Sequence, residues 1–246
     1  MTQKEHSPKP ALLLLPNLLG DVKHHALYLP SSVDTAVASL DGLIAENPTE
    51  GRRYLSRFQT KKASHDIPIA VFNRNTPDGD IDFLLEPVRK GERWGLVSDA
   101  GLPCIADPGS KLVRRARQCG ILVQAFVGPS SILLALMLSG LSGQCFHFLG
   151  YLEREQRERE NEIRRLEKRS QEEKATMIFI ETPFRNQPLL ESLLSTLSDS
   201  THLCVAWDLT LPTQGILSQP VALWKKAPVP KLEDRVAIFL FGSYNL

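Results

Sequence analysis

The chain has 246 residues, 42% of them hydrophobic and 23% charged, with a formal net charge of +1. That length buries a sizeable core as one large domain or two small ones. The near-neutral balance excludes a surface coated in cations but leaves room for a local basic groove. Cys104, Cys119, Cys145 and Cys204 lack CxxC spacing, which argues against a disulfide scaffold or structural zinc and for the reduced thiols of a cytoplasmic protein.

The first ten residues are polar and the apolar run 11–15 is short, so no secretory signal is expected. The apolar run 132–138 is far too short to span a membrane. Residues 11–15 read as a buried strand, stopped by Pro16-Asn17 and followed by a turn through Leu18-Leu19-Gly20-Asp21. Hydrophobic periodicity then predicts helices over 32–40, 50–58, 81–88 and 109–118. Strands are predicted over 42–45, 67–72, 94–97 and 121–126. Such alternation with short links predicts a largely parallel sheet with helices on both faces.

The pattern changes after Gly128-Pro129-Ser130-Ser131. An apolar helix is predicted over 131–139, and Gly140-Leu141-Ser142-Gly143 reads as a linker. Strands follow over 145–149, 176–180, 202–207, 221–224 and 236–241, with a helix over 188–197. The segment 153–174 is densely charged, with Ile163 and Leu166 as sparse apolar anchors, and reads mainly as an exposed helix or lid. The expected organisation is an α/β chain of two domains, 1–140 with a parallel sheet and 144–246 with a mixed sheet.

Four loops follow predicted strands and share one sheet edge, where α/β proteins hold small molecules. They begin at Pro16, Glu46, Ser98 and Gly128. The third is the richest, with Ser98-Asp99-Ala100-Gly101-Leu102-Pro103 followed by Ala106-Asp107-Pro108-Gly109. Asp99 suits a ligand hydroxyl or amino group, or a turn. Gly101 lets backbone approach a ligand closely. Asp107 reads either as the cap of the next helix or as part of the site. Ser130 and Ser131 read as helix caps or as cofactor contacts. No GxGxxG, GxxxxGK[ST] or GxSxG motif is present, which lowers nicotinamide, nucleoside triphosphate and serine-hydrolase readings. His24-His25 lacks companion ligands in the sequence nearby, so a solvent-facing loop is expected there and no metal.

The strings Val97-Ser98-Asp99-Ala100-Gly101-Leu102-Pro103, Ala106-Asp107-Pro108-Gly109 and Val127-Gly128-Pro129-Ser130-Ser131 resemble the tetrapyrrole methylase superfamily of S-adenosylmethionine-dependent methyltransferases. Leu15-Pro16-Asn17-Leu18-Leu19-Gly20-Asp21, Phe146-His147-Phe148-Leu149-Gly150-Tyr151-Leu152 and Phe179-Ile180-Glu181-Thr182-Pro183-Phe184-Arg185 are similar to segments of its branch that methylates a cytidine 2′-hydroxyl in small-subunit ribosomal RNA. The resemblance implies a homodimer whose cofactor lies in a cleft between two domains. It implies cofactor contacts at Pro16, Asp99, Gly101, Ser130, Ser131, Leu149 and Ala206, and a substrate-facing acid at Glu46. Glu46 is the candidate general base, against the reading of an ordinary helix-start carboxylate.

The substrate-side strings depart from that branch. Glu46-Asn47-Pro48-Thr49 stands where it has Glu-Asp-Thr-Arg, and Val71-Phe72-Asn73-Arg74-Asn75 where it has Tyr-His-Glu-His-Asn. Trp207-Asp208-Leu209-Thr210-Leu211 replaces Arg-Glu-Leu-Thr-Lys. The expected acceptor is ribosomal RNA or the small subunit, the alternatives being a tetrapyrrole or other small molecule, or a degenerate cofactor-binding assembly protein. Arg52, Arg53, Lys61, Lys62, Arg114, Arg115 and Arg117 are candidate phosphate contacts, or else solvated helix faces.

Overall fold

A computed structural model describes residues 9–244. The chain divides into two compact units, Met1–Pro129 and Ser130–Leu246. The first holds strands β1 (Ala11–Leu14), β2 (Gly42–Ala45), β3 (Ile69–Val71), β4 (Arg93–Leu96) and β5 (Val123–Ala125). Their order is β3-β2-β4-β1-β5 and every pair is parallel. Helices α1 (Ser31–Ala38), α2 (Pro48–Leu55), α3 (Ile81–Arg89) and α4 (Ser110–Gln118) provide the crossovers.

The alternation of side chains explains why β1 is apolar throughout. Leu13 and Leu15 pack with Val33, Val37 and Leu55 of α1 and α2. Leu12 faces the other way, toward Leu85, Val88 and Leu112 of α3 and α4. A strand buried on both faces has no polar side to show. The chain leaves β1 toward β2 and leaves β4 toward β5, in opposite directions across the sheet. Neighbours β1 and β4 therefore flank the switch point at which open α/β sheets open a ligand crevice.

The second unit holds α5 (Ser131–Ser139), β6 (Phe146–Phe148), α6 (Gln156–Glu173), β7 (Thr176–Glu181) and α7 (Asn186–Thr196). It continues with β8 (His202–Trp207), β9 (Gly215–Pro220), α8 (Val221–Trp224) and β10 (Ala237–Gly242). The sheet order is β6-β7-β10-β8-β9. Only the pairing of β6 with β7 is parallel, so the sheet is mixed as expected. No helix among the described residues is long and apolar enough to cross a membrane.

Three expectations change here. Residues 221–224 form a helix, and the strand is the preceding Gly215–Pro220, paired antiparallel to β8. Val221 and Trp224 are both buried at i, i+3 spacing, and the Trp224 indole N–H donates to Leu203 O at 2.8 Å. Trp224→Phe is expected to lower the urea midpoint, with a loss of about 1–3 kcal/mol as the Leu203 carbonyl loses its buried donor.

The expected boundary at Gly140 to Gly143 also moves. Gly140 ends α5 in the left-handed region at φ 74°, a helix stop suited to glycine. Leu141 is buried, Ser142 N–H donates to the Tyr244 hydroxyl at 2.9 Å, and Thr176 Oγ1 donates to Ser142 O. These ties, and the packing of α5 on β8, β9 and β10, bind the segment into the second unit. The division therefore falls before α5.

The charged segment 153–174 is a helix as expected, but one face is buried. Ile163 and Leu166 enter the core, and Glu167 beside them accepts from Ser198 N–H at 2.9 Å and from the Thr201 hydroxyl. The two apolar anchors mark this face, and the charged Arg159 and Glu167 are buried on it with hydrogen-bond partners.

Candidate active site

The loops after β1, β4 and β5 meet within the first unit. Asn17, only 5% exposed, is the knot between the first two. Its backbone N–H donates to Gly101 O at 2.7 Å, and its side-chain amide donates to Ser98 O at 3.0 Å and Asp99 O at 2.9 Å. Its Oδ1 accepts from Leu18 N–H at 2.8 Å and Arg57 Nη1 at 3.0 Å. One short side chain thus satisfies four backbone and side-chain partners, the economy expected of a buried amide.

The third loop joins through Pro16. A Cβ on Gly128 would stand 2.0 Å from Pro16 Cβ, so only glycine permits this approach. Gly101 has φ 68°, and a Cβ there would meet Leu19 Cδ2 at 3.3 Å. The long loop also holds two non-glycine residues in the left-handed region, Cys104 at φ 71° and Ala106 at φ 65°. Such backbone persists only where its surroundings enforce it, and it clusters at functional sites. Gly109, not Asp107, occupies the N-cap of α4, and no side chain caps that helix.

Asp107 instead joins Glu46 and Asp99. Asp99 N–H donates to Glu46 Oε1 at 3.4 Å, and Asn73 Nδ2 donates to Glu46 O at 3.3 Å. The Ser98 hydroxyl donates to Ala100 O at 3.0 Å and lies in reach of the Asp107 carboxylate. Burial, then the Asp107 charge, raises the Glu46 carboxyl above the ordinary range, against the Asp99 N–H and Arg74. Burial raises Asp107 as well, with Asp99 adding to the shift. Burial and Glu50 raise Asp99.

A raised folded-state pKa stabilises the fold below the unfolded carboxyl range of about 4, and that stability is lost as pH rises through the folded value. Asp107→Asn removes this loss. Its melting temperature is therefore expected to exceed the parent's at neutral pH, with the gap closing as pH falls toward about 4. A thermal-melt series across pH checks it.

Sequence reasoning did not single out Asn17 or Arg57 as site residues. The signal for Arg57 was its place four residues after Arg53 on α2's flank. Asn17 and Arg57, with Asp21, Arg53, Glu50 and Asp99, line a recess of 130 Å³. Burial, then the neighbouring Arg53, lowers the Arg57 pKa. Asp99 has no cation within ion-pair distance among the described residues. It is thus available to accept from a ligand hydroxyl or amine.

In the second unit, Ser130 caps α5, its Oγ accepting from Leu133 N–H at 3.5 Å, and Ser131 opens the helix. Leu149 follows β6 and donates its N–H to Ile178 O at 2.8 Å. Ala206 is buried in β8, paired to Ile238 and Ile216. Strands β7 and β10 lie between β6 and β8, so Leu149 and Ala206 are not neighbours. His25, expected in a solvent-facing loop, pairs with Asp34 at 2.6 Å and packs on the Phe58 ring.

Glycine-shaped loops at the switch point of a parallel sheet, with an unpaired carboxylate, define an α/β protein that holds a small polar ligand at that edge. The chain belongs to the tetrapyrrole (corrin/porphyrin) methylases, whose family model matches residues 34–223, and so to the S-adenosylmethionine-dependent methyltransferases. It is 30% identical over 203 residues to ribosomal RNA small subunit methyltransferase I of Bacillus subtilis (strain 168), covering 81% of this chain and 63% of that protein. Against the protein of that name from Vibrio cholerae, identity is 30% over 227 residues, covering 90% of this chain and 73% of the other. The chain thus spans about two thirds of the length of these relatives. Among solved structures, the methyltransferase CobJ aligns with a TM-score of 0.64 at 16% identity, over 94% of this chain and 93% of that one. Diphthine synthase aligns with a TM-score of 0.60 at 14% identity, over 94% and 88%. These two likenesses establish the fold.

Proposed function

We propose that this chain transfers the methyl group of S-adenosylmethionine to a ribose 2′-hydroxyl, that of a cytidine in small-subunit ribosomal RNA. The observation that carries the acceptor is the likeness across 90% of the chain to a ribosomal RNA small subunit methyltransferase. The cofactor supplies a sulfonium methyl already activated for in-line attack. Pro16, Asp99 and Gly101 are its contacts from the first unit, and Ser130, Ser131, Leu149 and Ala206 those from the second. The Asp99 carboxylate, with no cation paired to it among the described residues, supports this reading. So do the cradles at Gly101 and Gly128, which a Cβ would fill.

Glu46 is the base in this reading. Its carboxylate would take the proton of the ribose hydroxyl, and the cofactor would supply the methyl group that the oxygen accepts. Partial burial holds its pKa above the ordinary carboxyl range, closer to neutrality, and general bases work best near the working pH. A cytoplasmic homodimer belongs to the same proposal. Met137, 78% exposed on the apolar helix α5, supports a covered face there.

A second reading, a tetrapyrrole or other small-molecule acceptor, draws support from the family model of tetrapyrrole (corrin/porphyrin) methylases that matches residues 34–223. Labelled cofactor incubated with unmodified RNA, small-subunit particles and small-molecule extracts separates them, with mass mapping of the product. Label in RNA is the expected result. Label confined to small molecules overturns the RNA acceptor, and cofactor binding without any transfer marks a degenerate binding protein.

A further inference from the structure

A second concavity lies on the first unit, along the outer face of α2. It has a volume of 420 Å³ and is lined by Pro48, Thr49, Arg52, Arg53 and Ser56. No acid is among these lining residues. The groove begins two residues after Glu46, and Arg53 also lines the recess that holds Asn17, Arg57 and Asp99.

Its two arginines differ in how they are held. Arg52 Nη1 donates to the carbonyls of Ser64 and Ile67, at 3.0 Å for the latter. No carboxylate lies within ion-pair distance of Arg52 among the described residues, so its charge is fixed in place by neutral partners and left uncompensated. Arg53 pairs with the exposed Asp21 at 2.9 Å and Glu50 at 3.7 Å. Exposed pairs of this kind are weak, so Arg53 exchanges them readily for a stronger anion. The carbonyl bonds of Arg52 also pin the 60s loop against α2, and that loop carries the exposed Lys61 and Lys62. The helix α4 offers a contrast. Its Arg115 is held by Asp82 at 2.8 and 2.9 Å and its Lys111 by Asp78 at 2.7 Å, so half of its cations are neutralised.

We propose that the α2 groove, through Arg52, Arg53, Lys61 and Lys62, binds the phosphodiester backbone of a single-stranded RNA segment and leads it to the Glu46 end of the sheet. Guanidinium groups suit phosphate by planar, paired donation. The Thr49 hydroxyl adds a neutral donor beside them. The inference rests on the RNA reading and adds the surface that holds the strand.

The test uses the full chain and a labelled single-stranded oligoribonucleotide, with affinity read by anisotropy across a salt series. The variants are Arg53→Gln/Lys61→Gln/Lys62→Gln, which removes three cations, and as a control Arg114→Gln/Arg117→Gln on α4, which removes two. Arg52 is left intact because it anchors a loop. Each lost phosphate contact lowers the magnitude of the slope of log affinity against log salt by about 0.7, so the groove variant is expected to lose about 2. The α4 variant keeps the parent slope and the parent affinity for S-adenosylhomocysteine. If the parent binds RNA and the groove variant keeps its slope, or loses no more than the α4 variant, the groove assignment is overturned while the RNA reading stands. If the parent binds no RNA and methylates none, the RNA reading falls and the groove with it.

Discussion

Asn17→Ala is expected to unfold the site's loops before it unfolds anything else. The substitution takes the donors from Ser98 O and Asp99 O and the acceptor from Leu18 N–H and Arg57. Leaving buried polar groups without partners costs about 1–3 kcal/mol each when water cannot replace them, so a net loss of about 2–4 kcal/mol is expected once exposed members are resolvated. The effect on ligand binding is expected to be larger than the effect on the melt. The affinity for S-adenosylhomocysteine, read by calorimetry, is expected to fall by at least about tenfold, since the Asp99 carbonyl loses the bond that fixes its position. Asn17→Asp sharpens the test. It keeps an acceptor for Leu18 and Arg57 but turns a carboxylate oxygen toward two carbonyls. A variant that binds like the parent would show that the amide donors do not hold the loop.

The same residue marks what the sequence could and could not reveal. The strands of the first unit were legible because each is a short apolar run ended by Pro, Gly or Asp, and burial on both faces leaves no ambiguity about period. Residues 42–45, 131–139 and 202–207 lie where the pattern put them. The three glycine- and proline-marked loops were legible for a related reason: their backbone needs those residue types. Asn17 was read only as a turn residue, since an asparagine after a proline looks the same whether its amide meets water or the carbonyls of another loop. Its role depends on partners 40 and 81 positions away. The helix at Val221–Trp224 was misread because four apolar residues carry no period, and only the pairing of Gly215–Pro220 with β8 decides between strand and helix.

The acidic group at the sheet edge shows where local readings mislead. Asp107-Pro108-Gly109 has the composition of a helix start, yet Gly109 takes the cap position at φ 151°. A Cβ there would meet Cys104 Sγ at 2.4 Å, so the loop folds tightly over the glycine. Asp107 therefore does not cap the helix, and its charge acts on Glu46 while that of Asp99 acts on Asp107. Three carboxyls with raised pKa values in one place cost stability at neutral pH, and a cost of that kind is commonly retained where it serves a site.

Gly128→Ala is expected to separate ligand binding from folding more cleanly than any other single change. The added Cβ would sit 2.0 Å from Pro16 Cβ and 2.6 Å from Pro16 Cγ, well inside contact distance. Pro16 cannot retreat at small cost, because its neighbours are fixed: Leu15 N–H donates to Leu96 O at 2.9 Å and Asn17 N–H to Gly101 O at 2.7 Å. Overpacking of this kind costs about 1–3 kcal/mol. The displacement falls on the loop that carries Pro16 and so on the proposed cofactor contact. The expected outcome is a moderate drop in melting temperature together with a fall of at least about tenfold in S-adenosylhomocysteine affinity, since a shift of about 1 Å in a positioned group has that scale of effect. Gly120→Ala supplies the comparison. Gly120 lies at φ 71° with open space around its Cβ position, in the turn before β5 and away from the loops. A side chain there pays only the left-handed backbone cost of about 1–2 kcal/mol, so the melt falls by a similar amount while affinity stays at the parent value. Equal affinity losses in both variants would mean that binding follows overall stability, and the close approach of Pro16 to Gly128 would then have no separate part in holding the cofactor.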